Sequence, residues 1–200
     1  MEKMVLPARK FDEHYTYADY KKWPEDERWE LIDGVAWNMS PAPSRRHQWL
    51  VMELGRQIAN FLMGKTCHVY PAPFDVFFPE NQDQLEDNIC TIVQPDLTVI
   101  CDLKKLTKKG CFGTPDLVVE ILSPYTSRKD QDDKFHLYEG FGVLEYWVVD
   151  PGFGSIQAFM LSEDGCYGDG ELFIREGVLK SKVLDGLAIK LSDLFSDTGA

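Results

Sequence analysis

The sequence has no long hydrophobic run and a shortage of positive charge. Its 200 residues include 21 Lys and Arg against 33 Asp and Glu, which gives a formal net charge of −12. No stretch approaches the ~20 consecutive apolar residues that a membrane-spanning helix requires. The first ten residues also lack the apolar core of a signal peptide. We therefore expect a cytoplasmic protein that neither spans a membrane nor is secreted.

The cysteines do not form a metal-binding pattern. There are five, an odd number, with no C-x-x-C pair and no Cys/His cluster at zinc spacing. They are Cys67, Cys90, Cys101, Cys111 and Cys166. The pattern favours ordinary reduced thiols in or near the core.

The acidic charge counts against a general attraction to nucleic acid, because proteins that follow phosphates usually carry a basic face. The charge is nevertheless unevenly distributed. One local cluster is basic, consisting of Lys104, Lys105, Lys108 and Lys109, and another is acidic, consisting of Glu80, Asp83, Glu86 and Asp87. Both are more typical of solvated loops than of binding sites.

The composition is otherwise that of one globular domain covering residues 1–200. Hydrophobic residues make up 44% of the chain, with five Trp, eight Tyr and twelve Phe, enough for a sizeable core. A short helix capped by Thr16 is predicted over 16–23, and the Asp33-Gly34 turn predicts a hairpin over 28–39. Apolar residues at the helical period predict an amphipathic helix over 47–62.

After the helix over 47–62, the sequence predicts three strands, a second helix and a further strand. Strands are predicted over 67–78, 93–101, 116–122 and 145–150, and a helix capped by Ser127 is predicted over 127–141. Glycine-punctuated apolar runs then indicate antiparallel strands and a final helical turn over 191–195. This order predicts an α/β (α+β) fold with antiparallel additions.

Two predicted strands each contain a carboxylate that burial should make costly. Asp96 lies in the run 93–100, and Glu120 lies in the apolar run 117–122. If the strands are neighbours, the two carboxylates can converge, and a divalent cation would then offset both their burial and their repulsion. Oxygen ligands of this kind suit Mg²⁺ or Mn²⁺ better than zinc. The alternative is that each carboxylate caps a turn or pairs with a buried Arg or Lys.

The predicted helix over 127–141 could add a positive charge to this site. Asp130, Lys134 and Tyr138 are spaced i, i+4, i+8 and so lie roughly along one face. Lys134 could therefore point toward the sheet, although a lysine flanked by acidic residues is commonly a solvated position.

Several motifs together resemble one known family. They are Glu30-Leu-Ile-Asp-Gly34, His47 at the head of a helix, Gln94-Pro-Asp96, Asp116-Leu-Val-Val-Glu-Ile-Leu-Ser-Pro124, the spaced Asp130, Lys134 and Tyr138, and Gly142-Val-Leu-Glu-Tyr-Trp-Val-Val-Asp-Pro151. Over about residues 25–160 the combination is similar to the Uma family of predicted restriction endonucleases, of the PD-(D/E)XK nuclease superfamily. The resemblance implies a restriction-endonuclease-like core, in which helices flank a central mixed β-sheet, with additional antiparallel strands at the N- and C-terminal ends.

The resemblance also implies roles for individual residues. Asp96 and Glu120 match the two acids of the motif, and with the backbone carbonyl of Ile121 they would bind one Mg²⁺ or Mn²⁺. The superfamily's usual lysine position holds Leu122, and Lys134 on the following helix matches the position to which members similar to this chain have moved the lysine. Residues of a second tier are expected to support the site: Glu30, His47, Asp130 and Tyr138, of which Asp130 and Tyr138 would orient Lys134.

The function implied is hydrolysis of DNA phosphodiester bonds by a metal-dependent endonuclease. A homodimer is expected by analogy with other nucleases of the superfamily. The sequence is also compatible with two alternatives. One is a non-catalytic or partner-dependent nuclease-like binding module, which the charge of −12 favours. The other is a hydrolase of small phosphodiesters.

Overall fold

The computed structural model describes residues 14–24, 26–39, 43–81, 83–123 and 132–196. Its α-helices are α1 (Tyr17–Tyr20), α2 (Arg45–Leu62), α3 (Lys134–Gly140) and α4 (Leu191–Leu194). Its strands are β1 (Trp29–Ile32), β2 (Val35–Asn38), β3 (His68–Pro71), β4 (Asp75–Phe77), β5 (Ile92–Val93), β6 (Leu97–Ile100), β7 (Gly110–Phe112), β8 (Leu117–Ile121), β9 (Glu145–Asp150), β10 (Ser155–Met160), β11 (Glu171–Ile174), β12 (Val178–Lys180) and β13 (Ala188–Lys190). No helix in these ranges is long and apolar enough to cross a membrane.

The main sheet has six strands in the order β11-β10-β9-β8-β6-β3. The β8–β9 pair is parallel and the other pairs are antiparallel, so the sheet is mixed. The apolar stripe of α2, which includes Leu50, Leu54 and Ile58, packs against one face of the sheet. Leu137 and Tyr138 of α3 pack with Val118 of β8 in a second cluster. The prediction of a mixed sheet flanked by helices is confirmed.

A second sheet of five strands follows the order β2-β1-β5-β4-β7. The predicted hairpin forms its edge, and Asp33 and Gly34 both have positive φ, at 50° and 73°. This is the backbone that a tight two-residue hairpin turn needs. The apolar cluster beneath α3 draws Val76 and Val93 from this sheet and Val118 and Tyr146 from the main sheet, so it joins the two.

Two strand predictions, 67–78 and 93–101, are wrong in their extent. Each segment is divided between the sheets: β3 and β6 belong to the main sheet, and β4 and β5 belong to the second sheet. Proline lies at both crossings, as Pro73 and Pro95, and proline cannot donate to a β ladder. Strand β7 was not predicted. Residues 127–131 of the predicted helix over 127–141, including its Ser127 cap, lie outside the described residues, and α3 covers 134–140.

The expectation that all five cysteines are reduced thiols is wrong for two of them. Cys67 and Cys101 form a disulfide. The β3–β6 ladder explains why these two cysteines are close. His68 pairs with Ile100, and the same register, continued by one residue, places Cys67 opposite Cys101. Cys111 remains a buried thiol, and burial raises its pKa to about 12.

Glu145, at the start of β9, attaches the C-terminal part of the chain to the main sheet. Its carboxylate is buried and accepts hydrogen bonds from the Trp147 indole, the Ser181 hydroxyl, and the backbone N–H groups of Lys182 and Val183, at 2.7–3.0 Å. A charged acceptor with four donors is a satisfied buried anion. Glu145 therefore has a structural explanation that requires no role in chemistry.

We expect Glu145→Gln to lower the free energy of unfolding by about 1–3 kcal/mol, because the neutral amide leaves donors of the 181–183 turn without an acceptor. Urea denaturation measures the change. The matched control is Glu163→Gln, at an exposed position, which should change the unfolding free energy by less than about 0.5 kcal/mol. Equal effects for the two variants would contradict the structural role of Glu145.

Candidate active site

The predicted acids lie where the chain crosses between the two sheets. Asp96 is in the crossing segment between β5 and β6, one residue before β6, rather than within a strand as predicted. The β6–β8 ladder pairs Leu97 with Val119, and continuing that register by one residue sets Asp96 opposite Glu120. Residues directly opposite in an antiparallel pair have Cα atoms about 4.5–5.5 Å apart. The two acids therefore occupy neighbouring backbone positions where the chain crosses between the sheets.

Glu120 is part of a buried cluster of charged and hydroxyl groups, which we call the Glu120 cluster: Glu30, Glu120, Lys134 and Tyr138. The Lys134 ammonium lies 2.6 Å from Oε1 of Glu120 and 3.0 Å from Oε1 of Glu30. The Tyr138 hydroxyl donates to the same Glu120 oxygen at 2.7 Å. All four side chains are buried, with at most 3% of each residue exposed. The cluster brings together β1, β8 and α3, which carry these residues.

Electrostatics explain why these four residues are found together. A buried carboxylate without a partner is strongly destabilising, and one lysine between two glutamates offsets part of the cost for both. Tyr138 supplies a neutral donor: burial, followed by the charges of Glu120 and Glu30, raises its pKa well above the ordinary value, so the hydroxyl keeps its proton. Tyr138 thus acts on Glu120 directly, and reaches Lys134 only through that carboxylate.

Asp96 forms a second group with His47 and the backbone of β8. Its Oδ2 accepts a hydrogen bond from the Ile121 N–H at 2.8 Å and lies 3.1 Å from Nε2 of His47. His47 is in the first turn of α2, where its backbone N–H donates to the Ser44 cap. Oδ1 of Asp96 accepts no hydrogen bond from any described residue. The contacts therefore fix one oxygen of Asp96 and leave the other available.

The carbonyl of Ile121 points toward the same edge as Asp96. In an extended strand the N–H and C=O of one residue point to the same side, and the Ile121 N–H is bonded to Asp96. The β6–β8 register, continued by two residues, sets Pro95 opposite Ile121. Proline has no N–H, so it cannot bond this carbonyl as another residue at that place would. Pro95 thereby leaves the Ile121 oxygen without its usual ladder partner.

These donors fit a hard divalent cation such as Mg²⁺ or Mn²⁺. The candidate ligands are all oxygen atoms. They come from Asp96, from Glu120 opposite it in the continued β6–β8 register, and from the carbonyl of the next residue, Ile121. Within the part of the chain that the structure describes, no three His, Cys, Asp or Glu side chains converge to form a metal cage. Mg²⁺ does not need one, because it keeps several waters and binds through one or two carboxylates. Zinc is a poorer match to this donor set.

Comparison with known proteins identifies the family. The family model described as "Uma2: Putative restriction endonuclease" matches residues 17–192, most of the chain. The chain belongs to the Uma2 family. This Uma2 protein is 28% identical over 150 residues to the uncharacterized protein slr1290 of Synechocystis. The aligned region covers 74% of each chain.

A solved structure supports the fold of this Uma2 protein. It is similar, with a TM-score of 0.72, to a crystal structure from Anabaena variabilis described as a "putative nuclease belonging to DUF820". The match covers 90% of this chain and 97% of the other at 18% identity. At that identity the likeness shows a common fold, and it assigns no activity.

The structure brings most of the predicted site residues into these two groups. Glu30, Glu120, Lys134 and Tyr138 form the Glu120 cluster, whereas Asp96, His47 and Ile121 form the adjacent group. Asp130 lies outside the described residues. The prediction missed Gln94, whose backbone N–H donates to Oε1 of Glu30 at 3.0 Å and whose side chain accepts from Arg28. The only sequence signal for Gln94 was its position beside Pro95 and Asp96.

Tyr138→Phe should lower the free energy of unfolding by about 1.5–3 kcal/mol, because the lost hydroxyl donates to a buried charged group. Tyr167→Phe is the matched control, since that hydroxyl donates to the neutral carbonyl of Val143 at 2.7 Å. The control should lose only about 0.5–1.5 kcal/mol. Chemical denaturation of both variants checks the difference, and a larger loss for Tyr167→Phe would contradict a charged Glu120.

Proposed function

We propose that this Uma2 protein is a metal-dependent endonuclease that hydrolyses DNA phosphodiester bonds. The observation that carries the proposal is the placement of Asp96 opposite Glu120, with the Ile121 carbonyl facing the same edge. Membership of a family whose description reads "Putative restriction endonuclease" supports the same reaction class.

Asp96, Glu120 and the Ile121 carbonyl would hold the cation. When bound, Mg²⁺ or Mn²⁺ would neutralise charge on the scissile phosphate and make a nearby water more acidic. Asp96 presents Oδ1 because His47 and the Ile121 N–H hold Oδ2. Glu120 keeps its orientation because Lys134 and Tyr138 both bind its Oε1.

The main role of Lys134 and Glu30 in this arrangement is to hold the Glu120 side chain in position. The Lys134 ammonium is 2% exposed and lies between two carboxylates, so its positive charge first stabilises the cluster. The same charge would favour a dianionic transition state at the neighbouring phosphate through the low-dielectric interior. His47 is a positioning residue for Asp96.

A cleavage assay tests the proposal. Purified protein would be incubated with supercoiled plasmid and with single-stranded DNA in Mg²⁺ or Mn²⁺. We expect nicking that EDTA abolishes and that Asp96→Asn reduces at least about 100-fold, since a metal ligand is lost. The matched control is Asp164→Asn, at an exposed position, which should cleave at the wild-type rate. Equal cleavage by Asp96→Asn and the wild type would remove the site assignment.

One observation favours a second candidate, a nuclease-like binding module without catalysis. The Lys134 ammonium lies 2.6 Å from Glu120 and offsets part of its charge, which is the arrangement a purely structural ion pair would show. If the protein binds DNA but the plasmid stays intact in both metals, the binding module replaces the nuclease.

A further inference from the structure

A cleft of about 230 Å³ opens beside the candidate active site and has no role in the chemistry described above. Its lining includes Phe74, Asp75 and Gln94 from the crossing segments and β4, together with Lys108 and Lys109 from the turn before β7. Gln94 joins the cleft to the active site, because its backbone N–H donates to Oε1 of Glu30. The cleft and the two acids therefore border the same junction between the sheets.

The floor of the cleft is an ordered polar network. Oδ1 of Asp75 accepts from the Gln94 amide at 2.8 Å and from the Tyr20 hydroxyl at 3.3 Å. The Gln94 side-chain oxygen in turn accepts two hydrogen bonds from Arg28. Both the oxygen and the nitrogen of the Gln94 amide are therefore already hydrogen-bonded within the protein. Oδ2 of Asp75, by contrast, receives no hydrogen bond from any described residue. Burial raises the pKa of Asp75, so keeping a carboxylate here costs stability.

The wall of the cleft offers an aromatic ring. Phe74 stacks on Tyr70 with ring centroids 4.5 Å apart and planes 8° from parallel. This contact holds the Phe74 ring in place while part of it lines the cleft. A fixed aromatic ring beside a polar floor is the kind of surface on which nucleobases stack.

The rim of the cleft carries positive charge in an otherwise acidic protein. Lys109 is paired with Glu86, but Lys108 is exposed and has no ion-pair or hydrogen-bond partner among the described residues. Gly110 brings this turn close to the floor: a Cβ there would lie 2.1 Å from the Asp75 carbonyl oxygen. Only glycine allows that approach, so the backbone at 110 holds Lys108 at the rim.

We propose that this cleft binds one nucleotide of the nucleic-acid strand next to the bond that is cut, with the base against Phe74 and a phosphate on Lys108. Oδ2 of Asp75 accepts no hydrogen bond from the described residues, so it favours a base with an exocyclic amino group, such as cytosine or adenine, over thymine. The inference rests on the proposed function for its position relative to the cut. Binding in the cleft itself requires no metal.

Binding measured without metal tests the cleft separately from cleavage. Fluorescence anisotropy would follow labelled single-stranded 12-mers of dC and of dT in EDTA. We expect the wild type to bind oligo(dC) at least threefold more tightly than oligo(dT). Lys108→Ala and Phe74→Ala should each weaken oligo(dC) binding at least fivefold. The matched control is Lys190→Ala, an exposed lysine on β13, which should bind within twofold of the wild type.

Asp75→Asn separates the preference for one base from the general affinity of the cleft for single-stranded DNA. Loss of the carboxylate should abolish the preference for oligo(dC) while leaving the dissociation constant for oligo(dT) within threefold of wild type. Absence of oligonucleotide binding, or binding that Lys108→Ala and Phe74→Ala leave unchanged, overturns the cleft. If the wild type cleaves plasmid but Lys108→Ala and Phe74→Ala bind oligonucleotide as the wild type does, the cleft is not the nucleotide site and the nuclease proposal stands. Binding lost in the variants without any cleavage leaves the cleft standing and overturns the nuclease.

Discussion

Replacing Lys134 by methionine is expected to lower the free energy of unfolding by about 3–5 kcal/mol. Methionine fills a similar volume but removes the ammonium that lies 2.6 Å from Glu120 and 3.0 Å from Glu30. Two carboxylates would then face each other at a site where at most 3% of either residue is exposed. Urea denaturation monitored by tryptophan fluorescence measures the change.

The control for Lys134 is Lys104→Met, at an exposed position of the 102–105 turn. It removes the same charge from a solvated site and should change the unfolding free energy by less than about 0.5 kcal/mol. Similar small losses for the two variants would mean that Lys134 does not stabilise the buried glutamates. The outcome bears on the fold of the site whether or not the protein cleaves DNA.

Glu120→Gln is expected to reduce metal-dependent cleavage at least about 1,000-fold, because loss of an anionic ligand removes several kcal/mol of transition-state stabilisation. Glutamine has nearly the same shape and can still accept from Tyr138, so the variant should remain folded. Single-turnover cleavage of plasmid DNA, with circular dichroism as a check on folding, measures the effect.

Glu30→Gln is the matched comparison for Glu120, since both carboxylates contact the Lys134 ammonium. If Glu120 is a metal ligand and Glu30 only positions Lys134, cleavage by Glu30→Gln should exceed cleavage by Glu120→Gln at least tenfold. Equal losses in the two variants would show that the ion pair matters and that the ligand charge does not.

Local patterns predicted those parts of the fold that depend on local chemistry. The Asp33-Gly34 turn and the apolar stripe of α2 each specify their element through adjacent residues. The division of the chain between two sheets could not be predicted in this way, because Val93 and Leu97 look like one strand until Pro95 is seen to direct them into different sheets.

The candidate site was predictable as a set of residues more than as a set of contacts. Asp96, Glu120 and Lys134 were chosen from their motifs, but no local pattern shows that Lys134 lies between Glu30 and Glu120. That contact joins β8 and α3 to β1, which lies far from both in the sequence. The disulfide between Cys67 and Cys101 escaped prediction for the same reason, since it depends on the register of β3 with β6.

Titration of the apo protein with Mn²⁺ by isothermal calorimetry tests the central claim most directly. If Asp96, Glu120 and the Ile121 carbonyl form one site, the wild type should bind one Mn²⁺, and Asp96→Asn should bind it at least about tenfold more weakly. Absence of Mn²⁺ binding by the wild type at millimolar metal, or equal affinity in Asp96→Asn, would contradict a metal site at this junction.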